Sequence, residues 1–364
     1  MGMDRCNRYW HLLPGGLLAL MLVACGGGGD DKPVEPTLEA PNQLPTASFS
    51  AQANRLVMQF DGSASTDADG RIVGYRWNFG EPAVGGENQS AEQKPQHTYQ
   101  TSGTYTVTLT VTDDRGGEHS SSQNITVRNP VQAIATGKLN DTGMTGCADA
   151  SSWSLPCPVA DFPGQDAESG RDVSANDDSD GHAGFSFTKV DASGEALPAS
   201  ATKWSCVKDN VTGLLWEIHT DDGGLRDKDN TYSWYNPDPA TNGGLAGTQN
   251  GGQCGGGIPC DTESYVAAVN AAGLCGYHDW RLATATELLG LVDFGIPEPG
   301  PTIDVNYFAD LAGEVWSSSA SPFNSSYAVL VDFRTGTAGI YRKQKDDYSE
   351  EPAFLPVRLV RSEP

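Results

Sequence analysis

The segment Gly103-Thr-Tyr-Thr-Val-Thr-Leu-Thr-Val-Thr112 carries the most regular pattern in this 364-residue chain. Apolar and threonine side chains alternate along it, with the apolar positions at Tyr105, Val107, Leu109 and Val111. Successive side chains of a β-strand point to opposite faces of its sheet. The pattern therefore predicts a half-buried strand, with an apolar face toward a core and a hydroxyl-rich face toward solvent.

The neighbouring sequence places this strand in an all-β domain. It is followed at once by the turn-forming residues Asp113-Asp-Arg-Gly-Gly117. Further strands are predicted at 46–51, 55–61, 72–79 and 122–127. Trp77 is the expected anchor of the core.

Four more motifs carry a resemblance to a known family: Phe60-Asp-Gly-Ser-Ala-Ser65, Asp67-Ala-Asp-Gly70, Ile72-Val-Gly-Tyr-Arg-Trp-Asn-Phe-Gly80 and His97-Thr-Tyr99. Together with the alternating strand, residues 46–129 resemble the polycystic-kidney-disease (PKD) domain. The resemblance implies an immunoglobulin-like β-sandwich that acts as a spacer or adhesion module. The family usually has Trp-Asp-Phe-Gly-Asp-Gly where this chain has Trp77-Asn-Phe-Gly-Glu-Pro82. The loop after Gly80 is therefore expected to be irregular.

Residues 136–362 differ from the all-β region before them, because their sequence predicts two helices. A first helix is predicted at about 262–272, with Asp261 or Thr262 as N-cap and Gly273 as its end. A second begins at the capping box Thr284-Ala-Thr-Glu287 and is predicted to run to Phe294. Short strands are predicted after it at 315–319, 327–333, 337–341 and 356–361, with 327–333 in a central position.

Several sequence motifs of this region resemble those of a second family: Val207-Lys-Asp-Asn-Val-Thr-Gly-Leu-Leu-Trp216, Tyr232-Ser-Trp234, Gly276-Tyr-His-Asp-Trp-Arg-Leu-Ala-Thr284, Val315-Trp-Ser-Ser-Ser319 and Val357-Arg-Leu-Val-Arg361. They look like the C-terminal domain of a bacterial collagen-like adhesin, the Lcl C-terminal family. The resemblance implies an α+β fold similar to C-type lectins and formylglycine-generating enzymes. Such a fold has two helices, a small mixed sheet and long loops.

Six cysteines follow the PKD-like region, and an even number in an exported chain indicates disulfides. Sequence alone allows about 15 pairings of six cysteines. Two pairs are close neighbours across turn-rich intervals, Cys147 with Cys157 and Cys254 with Cys260, which leaves Cys206 with Cys275. A zinc site is the alternative, but the chain has no Cys-x-x-Cys spacing and only 6 histidines.

The N-terminal sequence indicates export and a lipid anchor. A basic start and a short apolar run lead to Leu22-Val-Ala-Cys25, which resembles the bacterial lipobox. Residues 1–24 are thus expected to be a lipoprotein signal peptide, with Cys25 lipidated. Residues 25–45, rich in Gly, Asp and Pro, are expected to be a flexible linker. The resemblance implies a place at the bacterial outer membrane or cell surface.

The composition restricts the classes of partner. The formal net charge of −24 repels phosphate backbones, so nucleic acid is not an expected partner. A small basic cluster, Arg342-Lys-Gln-Lys345, lies beside several acidic residues and is expected to be a solvated loop.

Two acidic loops are the metal candidates. Carboxylates are crowded in both, as in calcium sites, at Asp177, Asp178, Asp180, Asp227 and Asp229. Neither loop matches the twelve-residue calcium motif, and solvated turns are the expected alternative. No cofactor is expected beyond a structural calcium.

Aromatic residues provide the ligand-binding candidates. Trp234, Tyr235 and Asn236 lie near a Gly/Asn-rich loop, where exposed rings would stack on sugar faces or on a partner's apolar surface. Burial in the core is the equally weighted alternative for the two rings. Core positions are expected for the tryptophans Trp204, Trp216, Trp280 and Trp316.

Enzyme signatures are missing from the sequence. It has no Gly-x-Ser-x-Gly, no His-Glu-x-x-His and no cysteine after Cys275, which the formylglycine-generating relatives would need. The chain is expected to be a non-enzymatic lipoprotein whose lectin-like domain adheres to an extracellular glycan or surface protein. A docking subunit of an envelope assembly is the alternative, and an enzyme on the lectin-like fold comes third.

Overall fold

A computed structural model describes residues 40–81, 88–175, 177–297, 300–310, 313–344 and 353–363. The predicted signal peptide, Cys25 and most of the predicted linker lie outside these residues. The irregular loop expected after Gly80 also lies mostly outside them. Within the described part of the chain, no helix has the length and apolar content that a membrane crossing requires.

The N-terminal domain is built from antiparallel strands that form two sheets. The strands are β1 (Ser50–Asn54), β2 (Val57–Asp61), β3 (Ile72–Asn78), β4 (Gln89–Ser90), β5 (Gln96–Thr98), β6 (Gly103–Asp113) and β7 (Glu118–Val127). One sheet has the order β1-β2-β5 and the other has the order β4-β3-β6-β7. This is the all-β sandwich that the PKD resemblance implies.

Strand β6 shows why the sequence folds this way. Its residues Val107, Leu109 and Val111 are fully buried, as the alternation predicts. The intervening threonines face away from the core, and Thr108 and Thr110 hydrogen-bond across to serines of β7 at 2.8 Å. Trp77 is also fully buried, and its ring centroid lies 5.1 Å from that of Phe49, the residue before β1 of the other sheet.

The C-terminal domain has shorter strands in two sheets. The strands are β8 (Phe187–Val190), β9 (Cys206–Asp209), β10 (Leu215–Glu217), β11 (Arg281–Leu282), β12 (Glu314–Ala320), β13 (Tyr327–Asp332), β14 (Thr337–Arg342) and β15 (Leu359–Arg361). Their orders are β11-β15-β10-β9-β8 and β12-β13-β14, so β13 is central as predicted. All these strand pairs are antiparallel. Parallel pairing in the described residues of this domain is found as isolated bridges, such as Trp316 with Val357, so the expected mixed sheet is not seen among these strand pairs.

Four α-helices accompany these sheets in the described residues, namely α1 (Asp166–Ser169), α2 (Arg171–Ser174), α3 (Thr262–Ala272) and α4 (Ala285–Leu289). Helix α3 has the predicted bounds, because the Asp261 carboxylate accepts a hydrogen bond from the amide of Ser264. The helix ends at Gly273, whose φ of 69° belongs to the left-handed region that favours glycine.

Helix α4 starts as predicted but is shorter. The Thr284 hydroxyl accepts from the amide of Glu287, and the Glu287 carboxylate accepts from the amide of Thr284. The predicted end at Phe294 is wrong, because the helix stops at Leu289. Helical hydrogen bonding does not continue to Phe294, because the Asp293 amide donates to the carbonyl of Thr302 instead of to a carbonyl one turn earlier.

Two apolar clusters form the core of this domain. One surrounds Trp216, and the other contains Trp234, Trp280 and Trp316, all of them buried. Trp204 is only half-buried at the margin of the first cluster, and its indole Nε1 donates to the carbonyl of Tyr307. The core prediction is therefore confirmed for three tryptophans and partly for Trp204.

The six cysteines form three disulfides with the predicted pairing. These are Cys147–Cys157, Cys206–Cys275 and Cys254–Cys260, which close intervals of 10, 69 and 6 residues. The long bridge joins β9 to the turn after α3. Both of its sulfur-bearing residues are fully buried in the second cluster.

Candidate functional site

A cavity of about 420 Å³ lies beside helix α3 in the C-terminal domain. The three residues that the sequence singled out, Trp234, Tyr235 and Asn236, all line it. Its other walls come from the first turns of α3, from β11 and from the start of α4. They are lined by Thr241, Thr262, Glu263, Val266, Arg281, Leu282, Thr284 and Ser318.

Trp234 forms a wall of the cavity rather than an exposed platform. Its side chain is only 1% exposed, so the core alternative is correct for this residue. The indole Nε1 donates to the carbonyl of Ser317 at 2.9 Å. This bond fixes the ring against strand β12, and only part of the ring borders the cavity.

A buried lysine holds the loop beside Trp234. Lys343 is fully buried, its Nζ lies 4.2 Å from the centroid of the Trp234 ring, and it donates to the carbonyls of Asn242 and Leu245. Burial lowers the pKa of Lys343 to about 8. The expected solvated basic loop is therefore wrong for Lys343. Lys345 lies outside the described residues.

Tyr235 and Asn236 are half-buried and are held by short polar contacts. The Thr262 hydroxyl donates to the carbonyl of Tyr235 and accepts from its amide, at 2.8 and 3.0 Å. The side-chain amide of Asn236 donates to the Thr241 hydroxyl and accepts from the amide of Asp238. These contacts fix the position of the loop.

The opposite wall carries a neutralised charge. Arg281 donates two hydrogen bonds to Glu287, at 2.8 and 2.6 Å. Burial alone would raise the pKa of Glu287, but the bonds from Arg281 and Thr284 hold it below its usual value. Val266 and Leu282 add apolar surface. The cavity can therefore hold a small ligand that has an apolar face and a few hydrogen-bonding groups.

The carboxylates of the two acidic loops accept hydrogen bonds from residues nearby in sequence. Asp227 accepts hydrogen bonds from the amides of Asp222, Gly223 and Asp229, and these bonds lower its pKa. Asp229 is exposed and pairs with Lys228.

The second loop follows the same pattern. Asp177, Asp178 and Asp180 each accept from a partner a few residues further on, at Ser179, Ala183 and Ser186. In the described parts of the chain, no three histidine, cysteine or acidic side chains are arranged to hold a metal ion.

The sequence analysis missed a buried charge cluster. The Asp310 carboxylate accepts from Nδ1 of His219 at 2.9 Å and from Arg358 at 3.0 Å. Glu217 accepts from the Tyr265 hydroxyl, and its Oε2 lies 3.8 Å from Nε2 of His219. Burial raises the pKa of Asp310, but Arg358 and His219 outweigh it and hold this pKa well below its usual value.

This cluster lies beneath a second cavity of about 640 Å³, which His219 and Asp310 help to line. Nδ1 of His219 is bonded to Asp310, whereas its Nε2 is buried without a hydrogen-bond partner and lies 3.8 Å from the Glu217 carboxylate. One local signal could have predicted part of this cluster. Glu217 and His219 are two residues apart in Trp216-Glu-Ile-His219, so an extended chain places both side chains on one face. Their partners Asp310 and Arg358 lie far away in sequence.

Comparison with known families identifies both domains. Residues 40–128 match the model of the PKD domain, and residues 205–358 match the model of the Lcl C-terminal domain. The two domains therefore occur in the order that the sequence motifs predicted. Trp234, Tyr235 and Asn236 lie within the second match.

Several characterised proteins resemble part of the chain. It is 39% identical to Collagenase ColQ1 of Bacillus cereus (strain Q1) over 90 residues, which are 24% of this chain and 9% of that protein. It is 38% identical to Collagenase ColA of Clostridium perfringens over 105 residues, 28% of this chain and 9% of that protein. The chain thus spans about a tenth of the length of these relatives.

Solved structures are also similar to about a quarter of the chain. The crystal structure of the PKD1 domain of Vibrio anguillarum Epp is 36% identical and covers 25% of this chain and 100% of its own, with a TM-score of 0.23. The relatives match only the PKD region, so their catalytic activities are not transferred to this chain.

Proposed function

We propose that this protein is a non-enzymatic binding protein of the bacterial cell surface, whose C-terminal domain recognises a glycan in the cavity at Tyr235 and Asn236. The observation that carries the proposal is the preformed cavity. Its walls are held in place by hydrogen bonds of Lys343, of Thr262 and of the Arg281–Glu287 pair. A preformed site loses little conformational entropy on binding.

The chemistry of the walls supports a sugar ligand. A pyranose ring has an apolar C–H face that can pack on Tyr235, Val266 and Leu282. Its hydroxyl groups can reach the side chains of Asn236 and Ser318. A free carboxylate gains little here, because the guanidinium of Arg281 already has a carboxylate partner.

We place the protein outside the cytoplasm as a lipoprotein. The lipobox-like sequence ending at Cys25 would supply the anchor, and residues 25–45 would supply a flexible tether. Three disulfides suit an oxidising compartment. In this arrangement the PKD domain is a spacer or surface-binding module, a role that fits its occurrence in collagenases.

We further propose that the C-terminal domain has a fold similar to C-type lectins. Helices α3 and α4, two small sheets and the long connecting loops agree with that class. Binding in such a domain would use side chains carried on loops over a rigid core, as at residues 234–236.

A glycan array with the full chain tests this function. Tyr235→Ala and Asn236→Ala should each weaken binding by about tenfold, because each removes a contact at the centre of the site. Tyr341→Ala is the matched control, since Tyr341 is an exposed tyrosine of β14 that does not line the cavity. Equal binding by wild type and Tyr235→Ala would refute the cavity as the site.

The second candidate function is docking to a partner protein through β14. This strand lies at the edge of its sheet among the described strands, and it exposes Ile340 and Tyr341. An edge strand can pair with a strand of another chain. Capture of one abundant envelope protein that is lost in Tyr341→Ala and kept in Tyr235→Ala would favour this candidate.

A further inference from the structure

One tryptophan of the C-terminal region is displayed rather than buried. Trp153 is 84% exposed, whereas every other tryptophan that the structure describes is buried or half-buried. An aromatic side chain can bury 150–250 Å² or so in a contact. An exposed ring does not gain the free energy of burial, which suggests that Trp153 is exposed for a contact with another molecule.

The chain holds Trp153 on a short, closed hairpin. The disulfide Cys147–Cys157 clamps its base, and Cys147 and Leu155 exchange backbone hydrogen bonds at 2.8 and 2.7 Å. At the base, the side-chain amide of Gln165 donates to the carbonyl of Ala148 and accepts from its amide. The backbone on both sides of the ring is therefore fixed.

The turn of the hairpin is fixed as well. The Asp149 carboxylate accepts from the amide and hydroxyl of Ser151 and from the amide of Ser152, at 2.7 to 3.0 Å. These bonds lower the pKa of Asp149, so the turn is kept at neutral pH. A ring on such a support can bind with a small loss of backbone entropy.

We propose that Trp153 is a second glycan-binding site, a platform on which an uncharged pyranose ring stacks. The remaining hairpin residues near the ring are small or polar: Ala148, Asp149, Ala150, Ser151, Ser152 and Ser154. The site thus combines one flat apolar surface with a polar margin. A pyranose has the complementary shape, with an apolar face and a rim of hydroxyl groups.

Charge and composition distinguish this ligand from the alternatives. The net charge of −24 and the carboxylate of Asp149 disfavour sulfated or uronic-acid glycans and anionic lipids. Insertion into a membrane surface uses a larger apolar face than one ring. The hairpin precedes the residues of the Lcl C-terminal match, and no residue of it lines the cavity at Tyr235. The site is therefore separate from the one proposed above.

The test is a binding assay of the full chain on cellulose, chitin and starch, with phosphatidylcholine/phosphatidylglycerol vesicles in parallel. Trp153→Ala should weaken binding to at least one polysaccharide by about tenfold, as expected for an aromatic anchor. Trp153→Phe should restore part of it. Phe323→Ala is the matched control, because Phe323 is 91% exposed on another turn, and it should bind like wild type.

The overturning results are distinct from failure of the cavity proposal. Wild-type binding by Trp153→Ala, binding to none of the three polysaccharides, or Trp153-dependent retention on vesicles would each overturn the inference. If Tyr235→Ala loses polysaccharide binding and Trp153→Ala keeps it, the inference would also be overturned, while the cavity proposal would stand. Unchanged thermal unfolding of Trp153→Ala would confirm that the loss is not one of folding.

Discussion

The two domains hold their shape by different means. The PKD domain has two long paired strands, β6 and β7, one aromatic core, one buried pair of Glu81 with His97 and no cysteine, so backbone ladders and apolar burial supply most of its stability. The C-terminal domain has strands of only two to seven residues, long loops and three disulfides. It also buries the charged residues Glu217, Asp310, Lys343 and Arg358. Where regular hydrogen bonding is sparse, covalent links and buried polar contacts replace it.

Reduction of the disulfides should produce the largest difference in unfolding free energy between the two domains. Loss of Cys206–Cys275 removes a link across 69 residues, for which chain entropy predicts about 4 kcal/mol of unfolding free energy. The Cys254–Cys260 link closes 6 residues and should contribute about 2 kcal/mol. Calorimetry of Cys206→Ser and Cys254→Ser, with and without reductant, measures this order.

The internal control is the PKD transition, which should not move with reductant, since the domain contains no cysteine. Equal losses for the two variants would show that loop length does not set the effect. A shift of the PKD transition would show that the domains do not unfold independently.

The second largest effect should come from the buried charge cluster. Arg358→Met leaves Asp310 buried without its guanidinium partner, which should cost about 3 kcal/mol. The matched change in the PKD domain is Arg76→Met, at an exposed pair with Glu118, which should cost less than about 0.5 kcal/mol. Urea unfolding of both variants gives the comparison. Similar losses at the two sites would contradict the buried role of Arg358.

The buried charges also mark the limit of prediction from the sequence. Strand β6, the caps of α3 and the capping box of α4 depend on residues close in sequence, so local pattern was sufficient. The cysteine pairing followed from spacing. The hydrogen-bond partner Asp310 of His219 lies 91 residues away and the partner Asn242 of Lys343 lies 101 residues away, and no local pattern specifies such contacts. The burial of Trp234 and the exposure of Trp153 depend on the same long-range packing.

Lys343 should give the C-terminal domain a pH dependence of its own. Its pKa is about 8 in the folded protein and 10.5 in the reference state. Between these values the unfolded chain binds the extra proton, so stability should rise with pH. The rise should be about 1 kcal/mol, because the carbonyls of Asn242 and Leu245 accept from the charged ammonium group and offset part of the cost of its burial.

The measurement is thermal unfolding between pH 7.5 and 10.5 for wild type and Lys343→Met. The variant should lack the rise in the C-terminal transition, and the difference between the two proteins removes the effect of other titrating groups. A rise of equal size in Lys343→Met would assign it to another residue. Loss of glycan binding in the same variant would also show that Lys343 positions the loop at the cavity.

The smallest effect should be found on the outer face of the PKD sheet. Thr108 and Ser122 share one of the cross-strand hydroxyl bonds of β6 and β7, and both are solvent-accessible. Thr108→Val keeps the branched shape that a strand favours and removes one hydrogen bond, so the loss should be about 0.5 kcal/mol or less. Urea unfolding of this variant beside Val107→Ala, which opens the core and should cost about 2 kcal/mol or more, shows whether burial rather than the hydroxyl face holds the domain. A larger loss at Thr108 than at Val107 would mean that the PKD domain, like its neighbour, depends on polar contacts, and the contrast between the two would not hold.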